Sequence, residues 1–359
     1  MEPARVDPAG PEPGVLFLAE LREQPDVLTR LAGREREFEA AAARLRRPEV
    51  RVVRIVGHGS SDNAGTYGTY AFGLIAGLTA FRDSIALPVY YGTALEAADS
   101  CVIALSQSGR TPDVVNYVER AQQAGAPTIA ITNDPGSPLA DAAEAVVALE
   151  AGEERAVAAT KTYSAELAAL ALLAAHAAGR GPRYHEGLRE TAQLLAEALP
   201  GLEVATAEAA RQLVDARRML VLGRGPEYAT AREVALKLLE TAHLTAAPFT
   251  ATDFGHGPVA VLEPGDPVWA IAVDDPSLPT VVEAIGRANA AGGAVVVTGS
   301  AANAIEGARI SIPLPQAPLP WLGPLLSIIP GQLFAAALAG ARGLDPDRPR
   351  GLAKVTVVP

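Results

Sequence analysis

The stretch Val52-Val-Arg-Ile-Val56, followed by Gly57-His-Gly-Ser-Ser61, decides the fold. Its β-branched residues predict a buried strand, and the glycine turn leads into a helical stretch around Ala64 to Ala80. The same pattern returns at Met219 to Leu222, which runs into Gly223-Arg-Gly225. A strand, a glycine turn and a helix in this order are typical of the parallel βαβ unit.

The repeat covers more than the glycine turns. These turns lie 223 − 57 = 166 residues apart, and two strands that end at Thr132 and Thr298 lie 298 − 132 = 166 residues apart. Two unrelated features with one spacing indicate two copies of one α/β domain. Strands are therefore predicted in pairs: Thr128 to Thr132 with Val295 to Thr298, Cys101 to Leu105 with Val268 to Val273, and Ala145 to Leu149 with Ile310 to Leu314.

Domain boundaries follow from the repeat. Each copy is predicted to be a doubly wound parallel sheet flanked by helices. The linker is expected near Gly179 to Pro182, before a helix around Tyr184 to Leu199. We expect a leader and helix at residues 1–47, domains at residues 48–182 and 183–345, and a tail at residues 346–359.

Composition excludes several classes of partner. The chain has 359 residues and a formal net charge of −11, from 30 Lys+Arg against 41 Asp+Glu. Its long-range field repels phosphate backbones and anionic lipid, so neither nucleic acid nor membrane is an expected partner. The one cysteine, Cys101, cannot form an intramolecular disulfide, and no secretory leader opens the chain, so a cytoplasmic location is expected.

The longest uncharged stretch, between Arg309 and Arg342, has the length of a membrane span. Its prolines, from Pro313 to Pro330, predict that no helix precedes Pro330. Only Gly331 to Ala341 is then expected to be helical, as a core helix that follows a docking loop.

Ligands of an open parallel sheet bind beyond the carboxyl ends of its strands. There, Ser106-Gln-Ser-Gly-Arg-Thr111 offers hydroxyls, an amide and a following helix, which suits a monophosphate, with Arg110 at the rim. A helix N-cap with additional serines is the structural alternative. The equivalent loop of the second copy, Asp274-Asp-Pro-Ser277, carries two carboxylates, so only the first copy is predicted to bind phosphate.

No cofactor and no metal are expected. The turn at Gly57 and Gly59 does not continue into GxGxxG, which argues against NAD and ATP. The five histidines are scattered, and none has a second histidine or cysteine at metal-ligand spacing. His256 lies on a loop between two glycines, where an imidazole can transfer protons; a structural or surface histidine is the alternative.

Lysine is rare: Lys161, Lys237 and Lys354 are the three lysines among 30 basic residues. Unlike arginine, a desolvated lysine with a lowered pKa can act as a nucleophile toward a carbonyl. Lys237 and Glu240 are predicted to share a helix face. The alternative is an exposed pair of Lys237 with Glu233, and a solvated Glu240.

Together these motifs resemble the sugar isomerase (SIS) family, in particular the isomerase half of the glutamine:fructose-6-phosphate aminotransferases. The resemblance runs from about Val52 to the C-terminus and implies two tandem SIS domains, each a flavodoxin-like three-layer sandwich. It is carried by Gly57–Ser61, Ser106–Thr111, Ala156-Val-Ala-Ala-Thr-Lys-Thr-Tyr163, Gly223-Arg-Gly-Pro-Glu-Tyr228, Ala235-Leu-Lys-Leu-Leu-Glu240, His256-Gly-Pro258 and Arg350-Gly-Leu-Ala-Lys354.

The resemblance also implies a role for each matching residue. Glu240 is similar to the base that moves a proton between C1 and C2, with Lys237 beside it. His256 resembles the ring-opening histidine, which in the family reaches the neighbouring subunit's site, so a homodimer is implied. Lys354 matches a tail lysine that can form an imine with an open-chain ketose. The sugar phosphate is expected to contact Ser60, Ser61, Ser106, Gln107, Ser108, Thr111 and the backbone of Val157.

Departures from the family pattern bear on the substrate. Arg110, Ala159 and Gly255 stand where the family has glutamate, serine and lysine. The family's glutaminase domain with its N-terminal cysteine nucleophile is missing, so glutamine hydrolysis is not expected.

The expected reaction is therefore the deamination of glucosamine 6-phosphate to fructose 6-phosphate and ammonia. One alternative is a lyase that eliminates the C3 oxygen of an N-acetylated sugar phosphate such as N-acetylglucosamine 6-phosphate, for which Ala159 leaves room. A related SIS branch, the acetylmuramic acid phosphate etherases, performs such an elimination. The second alternative is a non-catalytic sugar-phosphate sensor.

Overall fold

The computed structural model describes residues 13–354. The first residues of the predicted leader, 1–12, and the end of the predicted tail, 355–359, lie outside the described residues. The strands are β1 (Val52–Val56), β2 (Thr79–Arg82), β3 (Ser100–Leu105), β4 (Thr128–Thr132), β5 (Ala145–Ala148), β6 (Arg218–Gly223), β7 (Thr245–Thr250), β8 (Pro267–Ile271), β9 (Ala294–Gly299) and β10 (Ile310–Pro313). The α-helices are α1 (Val15–Arg22), α2 (Gln24–Ala32), α3 (Glu35–Ala42), α4 (Ser60–Ala71), α5 (Ala86–Val89), α6 (Pro112–Gln123), α7 (Pro138–Ala142), α8 (Lys161–Ala177), α9 (Gly181–Gln212), α10 (Glu227–Ala242), α11 (Ala251–Phe254), α12 (Leu278–Ala290) and α13 (Pro324–Ala341).

The strands form two five-stranded parallel sheets with the same topology. The first has the order β2-β1-β3-β4-β5, and the second has the order β10-β9-β8-β6-β7. Counted within each copy, both orders are 2-1-3-4-5, which is the flavodoxin-like order with its switch point between the first and third strands. The predicted duplication, the parallel α/β fold and the eight predicted strands are confirmed.

Each sheet has one strand that the sequence pattern did not predict. β2 and β7 are edge strands, and most of their residues are partly or fully exposed. An edge strand has one ladder partner and little burial, so it needs no continuous apolar run, and β7 even accommodates Pro248. The helix expected to reach Ala80 ends instead in a π-helical turn at Phe72–Ala76, before β2.

The expectation for the proline-containing stretch near the C-terminus was wrong. α13 begins at Pro324 and continues through Pro330 to Ala341. A proline inside a helix removes one hydrogen bond and costs about 3 kcal/mol. α13 offsets this cost because it is buried on nearly all sides and packs mainly against α9 and α10.

Among the described residues, one helical segment, Pro320–Ala341, has the length and composition to cross a membrane. Of its most apolar window, 89% is buried inside the protein. The segment therefore fits the predicted core helix.

Helix α8 lies at the centre of the molecule. Its residues from Lys161 to His176 are all buried, and it packs on α2, α3, α4 and α9 of the same chain. The apolar side chains of this helix are therefore covered by other helices of the same chain. Across the two sheets, α4 of the first copy packs on α10 of the second copy, and this contact brings the two copies together at one site.

Candidate functional site

A cavity of about 680 Å³ opens at the carboxyl edge of the first sheet. It lies at the switch point, because one wall follows β1 and the other follows β3. Parallel sheets bind ligands at this place, where helix N-termini direct free N–H groups outward. Nine of the predicted site residues line it: Ser60, Ser61, Ser106, Gln107, Ser108, Thr111, Val157, Glu240 and Lys354.

The loop after β3 has the form of an anion cradle. Ser106 Oγ lies 3.1 Å from Thr111 Oγ1, and the Arg110 amide donates to Ser108 Oγ at 3.3 Å. Gly109 adopts a φ of 61°, a left-handed conformation, and an added Cβ there would overlap Ser137. The turn therefore directs its hydroxyls and the N-terminus of α6 into the cavity.

Arg110 itself does not join the cradle. Its guanidinium pairs with Asp134 at 2.9 Å, is largely exposed, and does not line the cavity. The expectation that Arg110 adds a charge at the rim is not supported by this geometry.

Glu240 enters the cavity from α10 of the second copy, and Lys237 holds it. Lys237 Nζ lies 2.5 Å from Glu240 Oε2 and 3.3 Å from Glu233 Oε1, while Ser60 Oγ and Asn63 Nδ2 donate to Glu233 at 2.9 and 2.8 Å. Lys237 and Glu233 are fully buried, so the alternative of an exposed pair is wrong.

Nearby charges shift the pKa values of Lys237 and Glu233. Burial opposes a charged lysine, but the two carboxylates outweigh burial and raise the pKa of Lys237. Burial likewise raises the pKa of Glu233, against the effect of Lys237. Lys237 therefore lacks the lowered pKa that a nucleophilic lysine needs. The arrangement positions Glu240 and supplies a hydrogen-bond donor beside it.

Lys354 reaches the opposite wall from the C-terminal tail. Its Nζ donates to Glu154 Oε2 and to the Ala156 carbonyl, both at 2.7 Å. Burial would raise the pKa of Glu154, but Lys354 and hydrogen bonds from Thr160 and Thr162 lower it. The ion pair therefore fixes the tail over the cavity, and the Lys354 amine has to leave Glu154 before it can attack a carbonyl.

Val157 lies on the same wall. Its backbone N–H donates to the Asp347 carbonyl at 3.1 Å. A backbone contact from Val157 to a sugar would therefore use its carbonyl oxygen.

Two predicted site residues do not line the cavity: Lys237, which contacts Glu240, and His256, which lies away from the site in this chain. His256 follows α11 on an exposed turn. A different histidine, His58, lines the cavity and lies 2.7 Å from Asp113 Oδ2 through Nε2. Sequence reasoning took His58 only as a scattered histidine, because nothing in the local pattern places it opposite Asp113.

Sequence reasoning also missed two buried acids of the cavity wall, Glu154 and Glu166. Glu166 accepts a hydrogen bond from Ser61 Oγ at 2.7 Å, and burial raises the pKa of Glu166 to about 8. Both glutamates flank the motif that ends at Tyr163, but their spacing has no helical or strand regularity that points to a site. Only the folded chain places them on the cavity.

The second copy has no equivalent cradle. Glu227 is the first residue of α10, 227 − 61 = 166 residues after Ser61, and accepts hydrogen bonds from Thr230 and Ser327. The cavity there has about 20 Å³, room for roughly one water, and Asp274 and Asp275 line it. A small site walled by carboxylates is unsuited to a phosphate, which supports the prediction of a single phosphate site.

Comparison with known proteins places this architecture in a family. The SIS domain matches residues 49–176 and 212–342, one segment for each sheet. This chain belongs to the SIS domain family. The predicted tandem SIS organisation and the predicted enzyme class, the SIS phosphosugar isomerases, agree with this match.

Curated relatives of this SIS protein are named glutamine–fructose-6-phosphate aminotransferase (isomerizing). One from a strain of Thermus thermophilus is 34% identical over an alignment of 361 residues, and the match covers 95% of this chain and 58% of the relative. One from Corynebacterium efficiens is 38% identical over an alignment of 271 residues, and the match covers 72% of this chain and 43% of the relative. The chain thus spans about half the length of these relatives.

Solved SIS structures agree with the fold. A protein from Silicibacter pomeroyi DSS-3, assigned as a phosphosugar isomerase, has a TM-score of 0.83 and 31% identity over 92% of this chain and 99% of its own. The C-terminal domain of a glucosamine-fructose-6-phosphate aminotransferase from Francisella tularensis has a TM-score of 0.86 at 23% identity, covering 95% of this chain and 100% of its own. The domain boundaries and the cytoplasmic location stay predictions.

Proposed function

We propose that this SIS protein is a phosphosugar isomerase that deaminates glucosamine 6-phosphate to fructose 6-phosphate and ammonia. One observation carries the proposal: a single cavity joins a hydroxyl-lined anion cradle on the first copy to a carboxylate, Glu240, on the second. The names of the relatives at 34% and 38% identity support a hexose 6-phosphate as the substrate class.

Different residues of the cavity bind the phosphate and the sugar of the substrate. The cradle from Ser106 to Thr111, with Ser60 and Ser61, binds the phosphate through hydroxyls and the N-terminus of α6. The sugar then extends toward Glu240, and the Val157 carbonyl and Lys354 lie along its other side.

The reaction needs one proton transfer and one hydrolysis. After the ring opens to the aldehyde, the Glu240 carboxylate removes the C2 proton and returns a proton to C1. The product of this transfer is an imine at C2. Water adds to the C2 carbon, and the nitrogen leaves as ammonia, so one water is consumed for each fructose 6-phosphate. Lys237 stabilises the Glu240 carboxylate, and Lys354, once released from Glu154, is an amine that can exchange for the nitrogen at C2.

Ring opening is assigned to His256 of a second copy. His256 is exposed and lies outside its own cavity, so it can act only in another subunit's site. We therefore propose a homodimer whose two cavities each receive His256 from the partner subunit.

Proton NMR in D2O tests the proposed function. Glucosamine 6-phosphate should lose its C2 proton signal and yield fructose 6-phosphate and ammonium, and Glu240→Gln should suppress both changes. In parallel, N-acetylglucosamine 6-phosphate is supplied, because Ala159 on the cavity wall leaves space beside C2. A vinylic proton signal from this sugar alone would favour the lyase. Tight binding of both sugars without any exchange would favour the sensor, and either result would overturn the deaminase.

A further inference from the structure

Glu166 is a buried acid of the cavity wall to which the reaction assigns no step. Its side chain, on α8, is 1% exposed. The two other buried carboxylates near the cavity have lysine partners, since Glu233 pairs with Lys237 and Glu154 pairs with Lys354. Within residues 13–354 Glu166 has no such cation and accepts a hydrogen bond from Ser61 Oγ at 2.7 Å.

The surroundings of Glu166 favour its neutral form. Burial raises the pKa of Glu166 to about 8, and the carboxylates of Glu233 on α10 and Glu154 on the preceding loop act in the same direction. The Ser61 hydroxyl on α4 opposes this shift. The other titratable groups that line the cavity are His58, Tyr90, Asp113, Tyr163, Glu240 and Lys354.

The two protonation states of Glu166 differ in what Ser61 can do. An ionised Glu166 only accepts, so it keeps the Ser61 proton and adds a negative charge next to the cradle. A neutral Glu166 has a proton to donate to Ser61 Oγ, which leaves the Ser61 hydroxyl free to donate to a phosphate oxygen. A dianionic phosphate therefore favours neutral Glu166, because this state adds no negative charge beside the cradle and leaves the Ser61 hydroxyl free to donate to the phosphate.

We infer that the substrate phosphate binds to the form of the protein in which the Glu166 carboxyl is neutral and donates to Ser61 while Ser61 donates to the phosphate, so that binding takes up a proton wherever Glu166 of the free protein is ionised. This inference rests on the proposed phosphate site. It makes Glu166 a positioning residue that acts through Ser61, and it makes substrate affinity depend on pH through a group that does not touch the reacting carbons.

Calorimetric titration of the full chain with glucitol 6-phosphate measures this coupling, because this hexitol phosphate has no carbonyl group and cannot react. At pH 9, in two buffers of different ionisation enthalpy, binding should take up about 0.9 proton, the fraction of Glu166 that is ionised in the free protein. The second pKa of a phosphate monoester is about 6, so the ligand is already a dianion there. Affinity should fall roughly tenfold for each pH unit above 8.

Two variants test whether the proton is taken up by Glu166 or by another group of the cavity. Glu166→Gln should bind without proton uptake at pH 9, and its affinity should be independent of pH between 8 and 10. Glu240→Gln removes a carboxylate from the same cavity but keeps Glu166, so its proton uptake should equal that of the wild type. If Glu166→Gln fails to fold, the wild-type titration still tests the inference, because the absence of proton uptake at pH 9 would overturn it.

The remaining outcomes are also distinct. Proton uptake that persists in Glu166→Gln would overturn the assignment to Glu166. Binding of the wild type that does not vary with pH would overturn the coupling but leave the phosphate site intact. No binding of the probe at any pH would overturn the proposed function, and this inference with it.

Discussion

Replacing Lys237 with methionine should destabilise the second copy strongly. Lys237 Nζ lies 3.3 Å from Glu233 Oε1, and both side chains are fully buried. Removing one partner of a buried ion pair costs about 3–5 kcal/mol, because the other charge stays buried without compensation. Glu233 keeps two donors, Ser60 at 2.9 Å and Asn63 at 2.8 Å, so we expect the lower end, about 3 kcal/mol of unfolding free energy.

The loss of unfolding free energy in Lys237→Met should depend on pH. Burial already raises the pKa of Glu233, and without Lys237 this pKa rises further. The folded state then holds a proton that the unfolded state releases above pH 4.5, the ordinary pKa of this carboxyl. Stability of Lys237→Met is therefore highest at low pH and is lost as the pH rises, by up to about 1.4 kcal/mol per pH unit, until Glu233 ionises in the folded state.

Urea unfolding, followed by circular dichroism at pH 6 and pH 8, measures both effects. Lys237→Met combined with Glu233→Gln should recover most of the stability, because a Gln amide can accept from Asn63 and donate to Ser60. The reasoning is refuted if Lys237→Met costs less than about 1 kcal/mol at pH 8, or if the double variant is no more stable than the single one.

Three further predictions concern the site and its support. Glu240→Gln should lower the rate of C2 proton exchange by at least about 10²-fold while glucitol 6-phosphate still binds, measured by NMR and calorimetry; normal turnover would contradict its role as the base. Gly109→Ala should abolish binding of that probe, because the added Cβ overlaps Ser137 and φ is 61°; unchanged affinity would show that the turn is not the cradle. Burial lowers the pKa of His185 below its ordinary 6.5, so the unfolded state binds more protons below pH 6.5. Thermal stability should therefore fall as the pH drops from 7 to 5, and His185→Gln should reduce this dependence; an equal fall in the variant would assign it to other groups.

The repeated architecture could be predicted because central strands leave a strong local pattern. β4 is buried at every position and β1 is buried or partly buried at every position, so both strands are rich in β-branched residues, and both were predicted with their observed bounds. The edge strands β2 and β7 have no such requirement and were missed. The prediction that no helix precedes Pro330 was wrong because the tertiary packing of α13 outweighs the local cost of a proline inside a helix.

Residue types and order along the chain determined the duplication, the parallel sheets, the family and the hydroxyl cradle after Leu105. These properties depend on neighbours in sequence, on side-chain periodicity and on turn conformation. Only the tertiary structure decided that Lys237 is a buried ammonium between two glutamates, that Glu166 contacts Ser61, and that His256 stays outside its own cavity. Lys237 is close to both glutamates in sequence, but its burial depends on the packing of distant segments, and so does the contact between Glu166 and Ser61, which are 105 residues apart. Burial and such long-range contacts shift the pKa values, and the local sequence pattern shows neither.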